Sequence, residues 1–254
     1  MGVQLGWQLQ PPSFDNPKGF WENRFFQAMN MRLLTSMGCN PNGFDSPETL
    51  QKTFRTLIHY HPPADTVSAI GKYTQSVFRG SHWGWKDPRT VITWPFWDRC
   101  LQELGYTDIR PVVLLRHPNA CLDSIKKRGD FKNPFLRDCL SEETYILNLW
   151  KSYYELIHSY ISSEAAVFKQ NDFLALETAG NEIARCAWYL DLDTSRINPA
   201  LATIDPNLMT HHRCNESHNT DSTAGDIYEI FVRRIDSQRN EYEQEATPRP
   251  KTWT

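Results

Sequence analysis

The chain has no long hydrophobic run, no paired-cysteine motif, little net charge and no complete phosphate-binding glycine loop. No apolar stretch reaches the ~18 residues that span a bilayer, which excludes a transmembrane helix. A basic segment followed by an apolar one is also missing from the start, so no secretory leader is read there. Met1-Gly2 resembles a myristoylation start, but Gly6 stands where Ser or Thr is required. The six cysteines, at positions 39, 100, 121, 139, 186 and 214, include no C-x-x-C pair. That spacing argues against a standard zinc site or a small disulfide scaffold, and the expectation is reduced thiols in a cytoplasmic protein. With 27 basic and 30 acidic residues the net charge is -3, so no global field favours nucleic acid and any anion site must be a local basic cluster. Gly80 to Asp87 has the Gly/Lys spacing of a Walker loop, yet Asp87 replaces the required Ser or Thr, which argues against a nucleotide kinase. There are no internal repeats and no low-complexity segments.

What is present suffices for a large core. The 254 residues include nine Trp and 13 Phe, most of them expected in the core or lining a cleft. The stretch Arg110–Arg128 organises the rest. Pro111–Leu115 is short, apolar and β-branched, as suits a fully buried parallel strand. Pro118 fits the first turn of a following helix, where its missing N–H has no cost. Open α/β sheets bind ligands beyond the carboxyl ends of their strands, which is where Arg116 and His117 fall.

Elsewhere, apolar spacing and capping residues predict helices over Glu22–Met37, Ser46–Tyr60, Ala64–Phe78, Pro95–Leu104, Ser141–Ile161 and Asp226–Gln244. A further helical region, Asn171–Leu190, is expected to break near Gly180. Strands are predicted at His82–Lys86 and Ala165–Lys169. Met1–Lys18 reads as irregular, and Asn198–Asp226 as a polar, His-rich loop. Strands separated by helices without hairpin signals point to an α/β layered domain with a parallel sheet. The expected organisation is one domain over residues 1–245 and a mobile tail over 246–254.

Three basic clusters follow strand-like or helical segments: Lys86 with Arg89, Arg116 with His117, and Lys126-Lys127-Arg128. Ser124, eight residues after Arg116, lies about two turns into the helix and shares a flank with Lys127 and Arg128. An Arg at a strand end and a hydroxyl on the returning helix can hold one phosphate. Alternatively, Arg116 pairs with a carboxylate and Ser124 is merely at the surface. His211, His212 and His218, with Cys214, do not have the spacing of a standard metal site. Trp83, Trp85, Trp94, Phe96 and Trp97 line a carbohydrate cleft in one reading and pack the core in the other.

The run R-H-P-N-A-C-L-D-S at residues 116–124 resembles the 3′-phosphate-binding segment of sulfotransferases that use 3′-phosphoadenosine 5′-phosphosulfate. Trp83 to Thr90 resembles the W-K-D-P-R segment of bacterial sulfotransferase-like proteins. Asn16 to Glu22 resembles their N-P-x-G-[FY]-[FW]-E opening, and Asp205 to Arg213 their D-P-x-L-x-x-H/R segment. The resemblance spans nearly the whole chain. It implies a P-loop-like three-layer α/β fold around a parallel sheet. It also implies sulfuryl transfer to a hydroxyl or amine of a carbohydrate or small molecule, without a metal. By this resemblance Arg116 and Ser124 bind the 3′-phosphate, Lys86 contacts the transferred group, and Glu22 is the candidate base. Arg89 and Arg213 are further candidates for the nucleotide or sulfate. Glu22 has a competing reading, as a first-turn carboxylate complementing a helix dipole. Lys86 has one as a salt-bridged lysine, and Arg89 as the partner of Asp87. The family's first strand and its G-x-x-R-S-G-T-[ST] loop have no counterpart in these residues. The start is therefore expected to fall roughly ~30 residues late relative to the family, a strand, loop and helix's worth of chain. Weak cofactor binding or stability of the chain as given is the corresponding expectation. A degenerate binding or assembly protein and a kinase of related fold are the alternatives.

Overall fold

The structure, a computed structural model, describes residues 2–13, 16, 19–79, 82–128, 142–161, 165–204 and 222–246, the side chains of residues 127, 128 and 222 excepted. It is α/β and mostly helical, and its packing divides into two units. One comprises residues 2–109 and 148–160. The other holds the described residues between 110 and 147 and those from residue 161 on.

The first unit is built on four helices, α1 (Arg24–Ser36), α2 (Pro47–Ile58), α3 (Ala64–Val77) and α4 (Thr90–Glu103). In α2 the local code is plain. The Ser46 hydroxyl accepts from the Thr49 N–H, Pro47 occupies the first turn, and Leu50, Thr53, Phe54 and Leu57 form the buried stripe. Phe26, Leu57, Ile70, Phe96 and Trp97 meet in the core. Helix α4 starts at Thr90, five residues before the expected Pro95, which lies inside it. The turn Asp87–Thr90, closed by Thr90 N–H on the Asp87 carbonyl at 3.0 Å, leads straight into the helix.

His82–Lys86 is not the expected strand. Among the described residues its strand pairing is an isolated parallel bridge between Gln4 and Trp83. Trp83 and Trp85 instead stack on Phe26, at 6.2 and 4.5 Å between ring centroids, so side-chain packing rather than a ladder fixes the segment. The N-terminal segment, expected to be irregular, is a strap. Gln4 pairs with residues 82–84, and further on the Gln10 N–H donates to the Glu22 carbonyl at 2.8 Å and the Arg24 N–H to the Gln8 carbonyl at 2.9 Å. One short stretch of chain thus draws the Trp83 and Glu22 segments together.

The second unit carries a parallel pair, β1 (Val112–Leu115) and β2 (Ala166–Lys169), in register Val112↔Ala166 to Leu115↔Lys169. β1 is not fully buried as expected. Val113 and Leu115 face inward, whereas Val112 and Leu114 are exposed. α5 (Pro118–Arg128) starts at Pro118 as the sequence predicts. α6 (Glu142–Leu156) begins in this unit and continues into the first; a π-helical turn, Ile157–Ile161, follows it. After β2 come α7 (Gln170–Leu174), α8 (Leu176–Tyr189), α9 (Ile197–Leu201) and α10 (Ser222–Ala246). The break between α7 and α8 falls at Ala175, in extended conformation, and Gly180 sits inside α8.

Side chains take the place of a third strand along β2. Gln238 of α10 accepts from the Val167 N–H at 2.9 Å and donates to the Ala165 carbonyl at 3.0 Å. Arg234 donates to the same carbonyl, and Arg185 of α8 to that of Val167. These bonds satisfy backbone groups that would otherwise be buried without partners. The described residues hold two strands in this sheet, so the larger three-layer arrangement is not among them.

Candidate functional site

Two groupings of the anticipated residues occur, one in each unit. In the first, Glu22 lies immediately before Asn23, which caps α1 by accepting from the Phe25 N–H. Glu22 is therefore outside the helix, and the first-turn dipole role does not apply. The strap fixes its backbone, and its side chain is 7% exposed. One carboxylate oxygen accepts from Lys86 Nζ at 2.9 Å and the other from Arg89 Nη2 at 2.8 Å. Gln27 Nε2 adds a bond to Glu22 at 3.2 Å and one to Gln10 at 3.0 Å. Glu22, Lys86 and Arg89, up to 67 residues apart in sequence, thus converge as one cluster.

Behind them lies a hub. The Asp87 carboxylate, 1% exposed, accepts from Arg89 Nε at 2.8 Å. It also accepts from the Arg89 N–H at 2.9 Å and from Asn30 Nδ2 at 3.0 Å. Asn30 Oδ1 in turn accepts from the Thr93 hydroxyl and the Trp97 indole, both at 2.7 Å. Arg89, its side chain 10% exposed, is held by carboxylates on two sides. Lys86 is the outward member, its side chain 55% exposed, and it also donates to the Phe20 carbonyl at 3.4 Å. Two carboxylates and two cations balance, so the cluster offers hydrogen bonds with little net field. The salt-bridged alternative for Lys86 and the Asp87-paired one for Arg89 describe the contacts these side chains make.

In the second unit, Arg116 and His117 follow β1 at its carboxyl end, both half-buried, and Ser124 is half-buried on α5. His117 meets the Tyr228 ring of α10 edge-on at 4.8 Å, and Lys169, at the end of β2, lies over the same ring at 5.9 Å. Strand ends from both β1 and β2 therefore bring a basic residue, an imidazole and an ammonium, to one aromatic ring. Lys126 forms an ion pair with Glu143, which holds its ammonium above its usual pKa, so it is not part of an open basic cluster. Lys127 and Arg128 side chains, Arg213, and the group His211, His212, Cys214 and His218 lie outside the described residues. Among the described residues no three His, Cys, Asp or Glu side chains gather as a metal site.

Sequence reasoning missed Asn30, Lys169 and Tyr228. Asn30 had a usable signal, a polar residue four positions after Phe26 on the buried stripe of α1. Lys169 and Tyr228 had none, because only the strand register and α10 bring them together. Four members of the aromatic set take the core reading, and Trp94 is half-buried on α4 outside that cluster. Phe96 and Trp97 are buried, and Trp83 and Trp85 pack against them. No protein-family model, curated protein or solved structure matches the chain.

Proposed function

We propose that this chain is a sulfotransferase-type protein that moves a sulfuryl group from 3′-phosphoadenosine 5′-phosphosulfate to an acceptor hydroxyl or amine. In this proposal β1 and β2 belong to the parallel sheet of a P-loop-like three-layer fold. The observation that carries it is the strand–turn–helix of residues 112–128, with Arg116 just beyond a parallel strand and Ser124 about two turns into the helix that follows. A guanidinium and a hydroxyl so placed fit a phosphate monoester, with the helix start adding its partial positive charge. The four motif resemblances supply the identity of the nucleotide.

The donor brings the sulfuryl group; the rest of the chemistry falls to this chain. Glu22 takes the proton of the acceptor while the acceptor atom bonds to sulfur and the bond from sulfur to the 5′-phosphate oxygen breaks. Lys86 sets its positive charge against the negative charge on the transferred group. For this its flexible stem must carry the ammonium off the Glu22 oxygen it now holds. Arg89, pinned by Asp87, keeps the other Glu22 oxygen fixed throughout. A specific observation supports a second reading, a non-catalytic nucleotide-binding protein: both Glu22 oxygens are already engaged in ion pairs.

Calorimetry on the full chain separates these. Adenosine 3′,5′-bisphosphate should bind in preference to ATP, weakly and with an affinity that Arg116→Ala lowers by roughly tenfold or more. Equal affinity for the two nucleotides, or no effect of Arg116→Ala, sinks the assignment. Glu22→Gln should leave that binding intact and lower sulfuryl transfer by roughly 10²-fold or more. Nucleotide binding without any turnover selects the non-catalytic reading.

A further inference from the structure

Among the described residues, two that are not glycine have positive φ, Trp21 at 57° and Asp191 at 53°. Asp191 needs no special account. It follows the C-cap Leu190 of α8, and its turn is closed by the Leu192 N–H on the Ala187 carbonyl at 2.8 Å. Helices commonly end in that way, and Asp tolerates the conformation. Trp21 ends no helix. It turns the chain between Phe20 and Glu22, where glycine would turn it without steric cost.

The ring returns little to the fold. Trp21 is 56% exposed, whereas Trp97 is fully buried. Its indole makes no ring contact or hydrogen bond among the described residues. A strained backbone carrying a large, outward aromatic side chain is the pattern of a functional position. Its neighbours indicate the ligand. Lys86 Nζ bonds both the Phe20 carbonyl and the Glu22 carboxylate, so the residues on either side of Trp21 hold one ammonium. The exposed indole is thus carried on the turn whose two flanking residues hold the half-exposed Lys86 ammonium. The formal charges of Glu22, Asp87, Lys86 and Arg89 cancel, so beyond the Lys86 ammonium the acceptor meets hydrogen-bonding groups with little net field. A neutral sugar ring fits: its C–H face lies on the indole, and its hydroxyls both donate and accept.

We propose that Trp21 is the stacking platform of a saccharide subsite beside Lys86 and Glu22, and that the acceptor is a neutral pyranose. This rests on the sulfotransferase reading and names its acceptor class.

The test uses the full chain without nucleotide, with cellotetraose, chitotetraose and maltotetraose as probes. Saturation-transfer NMR should show contact with the ring protons of at least one. Titration of that sugar should give an affinity that Trp21→Gly weakens at least ~10-fold and Trp21→Phe weakens less. Trp21→Gly should keep or raise the thermal midpoint, because it relieves the left-handed strain. Trp7→Ala removes a ring that is 73% exposed but outside the cluster, and should leave sugar binding unchanged. No transfer to any of the three sugars overturns the proposal. So does wild-type affinity in Trp21→Gly, a lowered midpoint in that variant, or an equal loss in Trp7→Ala. With no nucleotide in the experiment, failure of sulfuryl transfer leaves this result standing. Failure here likewise leaves Arg116-dependent nucleotide binding untouched.

Discussion

Asp87→Ala is the sharpest probe of the cluster that holds Glu22. The carboxylate is 1% exposed and faces a guanidinium whose side chain is 10% exposed, so solvent screens the pair little. Removing it deletes bonds from Arg89 Nε, from the Arg89 N–H and from Asn30 Nδ2. The loss leaves a buried cation balanced by Glu22 alone, and Glu22 is already shared with Lys86. Removing one partner of a buried ion pair costs about 3–5 kcal/mol, mostly from the charge left behind. For a chain of this size that corresponds to a midpoint roughly 10 °C lower. Urea unfolding followed by tryptophan fluorescence is a suitable assay, because Trp97 and Trp85 are bonded to Asn30 and Thr90 at the edge of the network. Asp172→Ala is the control. Its partner Arg239 is 30% exposed and keeps a 2.7 Å bond to Glu182, so the cost should stay within about 1 kcal/mol. If Asp87→Ala costs no more than Asp172→Ala, then Asp87 does not hold Arg89, and the rigidity attributed to Glu22 fails with it.

Other perturbations follow from the same geometry. Gly43 has φ +77°, and a Cβ there would lie 2.3 Å from the Tyr153 hydroxyl, so Gly43→Ala should destabilise by about 3 kcal/mol in chemical denaturation; a loss under ~1 kcal/mol would show that Tyr153 moves aside freely. Burial pushes the Cys100 thiol up to about 12, with Glu103 adding to it, and the Cys186 thiol up to about 11. Both stay protonated near neutral pH, so iodoacetamide should modify them only after unfolding, while the less buried Cys121 reacts in the native state. Mass-spectrometric labelling of Cys100 in the folded protein would contradict this. Ser46→Ala should cost about 1 kcal/mol through loss of the bond to the Thr49 N–H, read from the same unfolding curves; no change would mean that Pro47 alone starts α2.

Legibility in the sequence tracked locality. α2 was readable because Ser46, Pro47 and an apolar stripe at helical spacing all act within a few turns. The step from β1 to α5 was readable for the same reason, with Pro118 marking the first helical residue. Gly180 misled, since a glycine inside a well-packed helix is tolerated and the chain broke instead at Ala175. The His82–Lys86 strand failed because alternating Trp83 and Trp85 look like a ladder but serve a stack on Phe26. In the candidate site, Glu22, Lys86 and Arg89 were each identifiable by residue type and motif. Their convergence was not, because nothing local joins positions so far apart.

The sequence by itself determined most helices and the two strand segments that became β1 and β2. These depend on short-range terms: capping, proline geometry and apolar period. Tertiary structure alone decided that the N-terminal strap joins the Glu22 and Trp83 segments, that Asp87 and Asn30 support Arg89, and that Gln238, Arg234 and Arg185 finish the edge of β2. Those outcomes come from pairing buried polar groups that meet only after the chain has folded, and a buried polar group without a partner is too costly to leave.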